Sequence, residues 1–242
     1  MISNYKLNKK VVIGKVHNIK NKYRQLLTDQ NNIVIPTSEL IKRKGIDLRI
    51  VACISAISNT DTCWEEGDNI RYCSYYKLNK NLNDMSELVG KRKNEFVRDL
   101  GKILDINSDE LLESKRILDE KEIDCIEIKY KRGGFILVTY ENFENLVKNL
   151  SSNAFKLYIN LLWLCRNYEN DAFVERQLNQ GYLLELMGYS SKSDKTIRAA
   201  EKELIDLNLV KIRIAWETEI EFGKRGLTNP KTKKYYSIMD TI

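Results

Sequence analysis

The sequence holds one histidine (His17), two prolines and eleven glycines in 242 residues, and each scarcity excludes something. A lone histidine rules out His/His metal pairs, and with them nicking enzymes that hold a metal in a histidine cluster. So little proline and glycine argues against long disordered linkers. The five cysteines, Cys53, Cys63, Cys73, Cys125 and Cys165, form no CxxC pair, which excludes zinc ribbons and thioredoxin-type motifs. Cys53 and Cys165 lie in apolar helical runs and read as core residues. No apolar leader opens the chain, and the most apolar run, Phe155 to Cys165, is too short to span a bilayer. These features predict a cytoplasmic chain with no membrane contact and reduced thiols. There is no GxxxxGK-Ser/Thr phosphate loop and no GxSxG elbow, and the acidic residues form no metal cluster. The expectation is a non-enzyme without cofactor or metal, its thirteen tyrosines serving mainly in packing.

What is present is enough apolar material for a core: 43% hydrophobic residues against 31% charged. The length allows one large domain or two small ones. A net charge of +6 and a pI near 8.9 permit a polyanionic partner without requiring one, so the placement of charge has to decide.

Val11 to Val16 and Ile33 to Ile35 read as short strands around a basic stretch carrying Lys15, Lys20, Lys22 and Arg24. A helix capped by Ser38 is expected from Thr37 through Ile57. A short strand (Asn69 to Cys73), a helix near Tyr75 to Leu82, a helix Lys91 to Leu104 and another from Ser108 to Leu118 follow. Alternating β-formers from Ile123 to Tyr130 and Phe135 to Tyr140, around Lys131-Arg132-Gly133-Gly134, predict a hairpin. The second half repeats the order: a buried helix Asn153 to Tyr168, an extended Phe173 to Leu178, a short helix Gly181 to Met187, and a helix ending at Leu207. A β-prone run Leu209 to Trp216, a polar loop Glu217 to Thr232 and a returning strand Lys233 to Ile238 complete it. Each half thus reads helix, strand, helix, helix, hairpin. The expected fold is α+β and mainly helical: two tandem winged helix-turn-helix domains with small β-hairpin wings. The expected domains are residues 1–150, with a β-rich basic extension, and 151–242, joined by a helix near Glu141 to Leu150.

The segment Gly181 to Ser190 carries most of the functional reading. A short helix, then Gly188, Tyr189 and Ser190, follows the order of a helix-turn-helix corner, with glycine at the sharp turn and Tyr189 as its plug. Ser190 or Ser193 would cap the next helix. That helix places Ile197, Ala200, Leu204 and Leu207 on one face, and Lys195, Arg198 and Lys202 on another. With Ser191, Lys192, Ser193 and Thr196 these offer cations and hydroxyls where a recognition helix meets phosphates and base edges. Alone, such a helix is an ordinary amphipathic one with a solvated basic face. The corner before it and the strand after it favour DNA. In the loop and returning strand, Lys224, Arg225, Lys231, Lys233 and Lys234 suit a wing along the phosphates. Glu217, Glu219 and Glu221 keep the wing base off them. In the first half, Phe96, Leu100 and Ile103 face inward, with Lys91, Lys93, Asn94, Arg98 and Lys102 outward. Lys91, Arg92 and Lys93 at a helix N-terminus are electrostatically misplaced unless an anion compensates. Lys131 and Arg132 would tip this half's wing. That half either contacts DNA or dimerises the protein.

Two winged helices in tandem, in a basic chain of this length, resemble plasmid and phage replication initiators. The resemblance covers about residues 35–240 in element order and is most specific from Gly181 to Trp216. The Lys- and Asn-rich composition also fits a low-GC bacterial, plasmid or phage protein. The resemblance implies sequence-specific binding to double-stranded origin repeats, a homodimer, and recruitment of host replication proteins without enzymatic activity. Two other readings stay open: a transcriptional regulator or partition or conjugation accessory factor, and a winged-helix factor for protein–protein assembly.

Overall fold

The computed structural model describes residues 13–15, 32–36, 44–57, 59–63, 68–104, 124–131, 135–167, 169, 172–190, 193–217 and 231–239. Among them the chain is α+β and mainly helical, with seven helices and small antiparallel sheets. The first half contains β1 (Ile13–Lys15), β2 (Asn32–Pro36), α1 (Leu48–Ile57), β3 (Asn59–Cys63), β4 (Asp68–Ser74), α2 (Tyr75–Leu88), α3 (Lys93–Leu104), β5 (Asp124–Lys131), β6 (Phe135–Thr139) and α4 (Tyr140–Asn149). The second contains α5 (Ser152–Cys165), β7 (Arg166–Asn167), β8 (Ala172–Phe173), β9 (Arg176–Gln177), α6 (Gln180–Leu186), α7 (Asp194–Asp206), β10 (Val210–Glu217) and β11 (Lys231–Ile238).

Several expectations are corrected. Helix α1 begins at Leu48, not near Ser38. Its cap is Asp47, whose carboxylate accepts the Arg49 N–H at 3.2 Å. Strand β3, which the sequence pattern did not suggest, pairs with β4. The hairpin expected between β5 and β6 does not form. Strand β5 lies between β1 and β4 in a four-stranded sheet, and β6 pairs with β2, Asn32 opposite Thr139. Alternation announces a strand but not its partner, and both partners here are far away in sequence. The helix expected at Ser108 to Leu118 lies outside the described residues.

Helix α5 is the centre of the core. It is buried continuously from Ala154 to Leu162, and α1 and β6 pack on it from the first half, α7 and β11 from the second. At the expected domain boundary α4 ends at Asn149 and Ser151 caps α5, donating nothing to a gap: the buried apolar cluster runs on from Ile33 to Ile238. Cys53 and Cys165 sit in it, and burial pushes their thiols up to about 12 and about 11. No helix among the described residues is long and apolar enough to cross a membrane.

Helix α5 also buries a lysine. Burial pushes the Lys156 ammonium down to about 8, against the opposing field of Asp47. The unfolded chain holds that proton to near 10.5, so between these values the unfolded state binds more protons and stability rises with pH. Lys156→Met is expected to raise stability at pH 7 by about 1–3 kcal/mol. It should also remove the corresponding rise between pH 8 and 10. Urea denaturation of both proteins across that range checks this, and parallel pH profiles would contradict it.

Candidate nucleic-acid interface

The corner between α6 and α7 is built by backbone demand. Asn179 caps α6, accepting the Gly181 N–H at 2.7 Å. At the other end Gly188 takes φ 81, its N–H donates to Glu185 O, and the Tyr189 N–H donates to Leu184 O. This paired closure needs a left-handed residue, which glycine supplies without strain. Tyr189 packs partly buried against the core, and its hydroxyl donates to Asn153 Oδ1 of α5 at 2.7 Å. The same closure ends α2: Gly90 sits at φ 71, with Gly90 N–H on Glu87 O and Lys91 N–H on Ser86 O. Each half therefore turns one helix into the next through the same glycine geometry.

Helix α7 buries Ile197, Ala200, Glu201 and Leu204. Leu207, expected on that face, falls after the helix end and is 43% exposed, because Asn208 at φ 55 turns the chain there. Ser193 occupies the N-cap position without a side-chain capping bond; its hydroxyl lies 3.3 Å from that of Ser190. Lys195, Arg198 and Lys202 are exposed, and Thr196 and Ser193 are half-buried. Arg198 has Asp194 at 3.7 Å, an exposed pair of little energetic weight. Glu203 anchors the helix to α5, accepting from the Ser151 hydroxyl at 2.7 Å and from the Ser151 N–H.

Residue Glu201 escaped the sequence reading. It is a buried acid on the apolar face, and it accepts from the Tyr236 hydroxyl at 2.6 Å, Lys234 Nζ at 2.7 Å and, at longer range, Gln180 Nε2 at 3.3 Å. One carboxylate thus joins α6, α7 and β11. Lys234, grouped above with the wing cations, is committed to it. Burial, reinforced by the bond to Glu201, pushes the Tyr236 phenol well above its usual range. The helical spacing of Glu201 with Ile197 and Leu204 was the available signal: a carboxylate on an apolar face requires buried donors.

Strand β11 pairs with β10 through eight residues and with β9 through Tyr235 and Tyr236, giving the strand order β10-β11-β9. On the hairpin's outward face Arg213 forms a fork with Glu175, at 2.6 and 3.2 Å, and lies 4.2 Å from the Tyr235 ring centre. Lys233 is half-buried, and Lys231 faces Glu217 in the backbone register. Lys192, Lys224 and Arg225 lie outside the described residues.

Compared with protein-family models, curated proteins and solved structures, the chain matches none.

In the first half the cations are drawn inward. Lys91 pairs with Asp99 at 2.7 Å and Asp47 at 3.3 Å, so the basic cluster before α3 has internal compensation and is no pointer to an outside anion. Lys102 and Arg98 lie 3.1 and 3.7 Å from the same Asp99, with their side chains about three-fifths exposed. Lys93 is half-buried and Asn94 exposed. Lys131 ends β5 opposite Asp68, within a sheet and not at a hairpin tip, and Arg132 lies outside the described residues. Among the described residues no three His, Cys, Asp or Glu side chains are placed to hold a metal ion.

Proposed function

We propose that the chain is a sequence-specific double-stranded-DNA-binding protein whose second half is a winged helix-turn-helix, with α7 as the reading helix. The observation that carries the reading is α7 itself: Lys195, Arg198 and Lys202 stand exposed on a helix fixed by a tight corner, a buried carboxylate and a hairpin. The chain order α5-β9-α6-α7-β10-β11, with strands ordered β10-β11-β9, agrees with a winged-helix layout. The glycine corner repeated at Gly90 and Gly188 supports a tandem arrangement. The neutralised cations around Asp99 favour a homodimerising role for the first half over a second DNA contact. On this reading the protein acts in the cytoplasm as a plasmid or phage replication initiator that binds origin repeats and recruits host replication proteins.

The test is selection of bound sequences from a random duplex pool, followed by a salt titration of the recovered duplex. Direct iterated repeats support the initiator, and a lone palindrome favours a regulator. Lys195→Ala with Arg198→Ala should weaken binding at least tenfold at moderate salt and flatten the log–log salt slope by roughly 2, the loss of two phosphate contacts. Unchanged affinity in that variant removes the assignment of α7. Absence of duplex affinity at low salt hands the protein to the assembly reading.

A further inference from the structure

The two most exposed large apolar side chains among the described residues are neighbours on one hairpin face: Trp216 at 70% and Ile214 at 55%. Alternation along β10 puts Val210, Ile212, Ile214 and Trp216 on that face. Val210 is buried and Ile212 packs against the core, so the same face is covered at its start and bare at its end. Opposite these residues stand Ile238, Tyr236, Lys234 and Thr232.

The direction of the overhang matters. The Leu209 N–H donates to Leu204 O, so β10 starts at the C-terminal end of α7. Tyr236 and Lys234, opposite Ile212 and Ile214, both reach Glu201 at mid-helix, so the hairpin runs back along α7. Trp216 lies two residues further, about 7 Å along the strand. That brings it level with the first turns of α7, where Lys195 and Arg198 are exposed. Arg198 is also on the helix stripe that leans on the hairpin, three residues before Glu201. A bare indole beside exposed cations suits a polyanion carrying aromatic rings.

We infer that Trp216, backed by Ile214, is a nucleobase contact: the indole wedges against a base step of the same duplex whose phosphates meet α7. The inference rests on the proposed function and adds a second kind of contact to it. Apolar wedges of this sort partly unstack a base step and bend the duplex, while cations hold the backbone. The expected signature is a loss of affinity without loss of salt dependence, because no phosphate contact is removed.

The experiment uses the full chain and the duplex recovered by selection. Trp216→Ala should bind about tenfold or more weakly, as removal of one base–aromatic stack does. Its salt slope should equal that of the unsubstituted protein, and Trp216→Phe should restore most of the affinity. With Trp64 and Trp163 replaced by phenylalanine, emission from the remaining Trp216 should be quenched on titration with duplex. Affinity of Trp216→Ala within twofold of the unsubstituted protein, or a change in its association state by sedimentation in place of a change in affinity, overturns the inference and leaves the proposed function standing. Failure of the unsubstituted protein to bind duplex at low salt removes both.

Discussion

Replacing Asp47 with alanine is expected to destabilise the protein by about 3–5 kcal/mol, the usual result of removing one partner from a buried ion pair. Asp47 is 4% exposed and carries three tasks. It caps α1 through the Arg49 N–H, accepts the Arg49 guanidinium as a fork at 2.7 and 2.9 Å, and holds Lys91 at 3.3 Å. The same guanidinium donates to Leu150 O at 2.8 Å, at the junction of α4 and α5. Alanine would therefore strand two poorly hydrated cations and loosen the start of α1, the start of α3 and the end of α4 together. Burial alone would push the Asp47 carboxyl up, but Arg49 and Lys91 outweigh it and hold the group below its ordinary 3.8. Asp99 is held low in the same way, by Lys91 and Lys102. The sign follows from proton counting. Below pH 3.8 the unfolded carboxyls take up protons before the folded ones, so stability from this cluster is complete above about pH 4 and is lost as pH falls through the lowered folded values. Urea titrations at pH 7 and at pH 3 measure both effects. Loss of less than about 1 kcal/mol in Asp47→Ala at neutral pH would show that the cluster is not a structural lock.

Replacing Glu201 with alanine is expected to cost about 2–4 kcal/mol, slightly less, because Lys234 is one-fifth exposed and regains some hydration when its partner is gone. The Tyr236 hydroxyl is buried and would lose its acceptor. Glu201→Gln should be milder, since the amide oxygen still accepts from Tyr236 while the charge partner of Lys234 is lost. Replacing the pair together, Glu201→Leu with Lys234→Met, should recover much of the loss, because no buried charge is left unmatched. Thermal and urea unfolding of the three variants gives the ordering. A double variant no better than Glu201→Ala would mean that the cost comes from packing and not from charge.

Both locks are made by residues whose type is visible in the sequence and whose purpose is not. Lys91 beside Arg92 and Lys93 looks like an appeal for an outside anion. Its anions are Asp99, eight residues on, and Asp47, on another helix. Lys234 looks like one more wing cation, yet it answers Glu201, 33 residues earlier. Lys195, Arg198 and Lys202 keep the exposed positions their spacing gives them, because their helix face meets no other element.

What the sequence determined by itself is what neighbours within five or so residues decide. The buried faces of α3, α5 and α7 follow from helical spacing, and the corners at Gly90 and Gly188 from the need for a left-handed residue at a closing turn. Strand β2 and the runs that became β10 and β11 were legible from their β-branched and aromatic residues. Tertiary structure alone decided strand partners, since any β-prone run can serve several edges. It took β6 to β2 and β5 to β4, and so removed the first half's expected hairpin. It alone decided which charges are satisfied inside, through contacts as distant as Arg49 to Leu150, 101 residues apart. It also bared Trp216: alternation assigns that side chain a face, but only the length of the hairpin relative to the helix beneath it leaves the face uncovered.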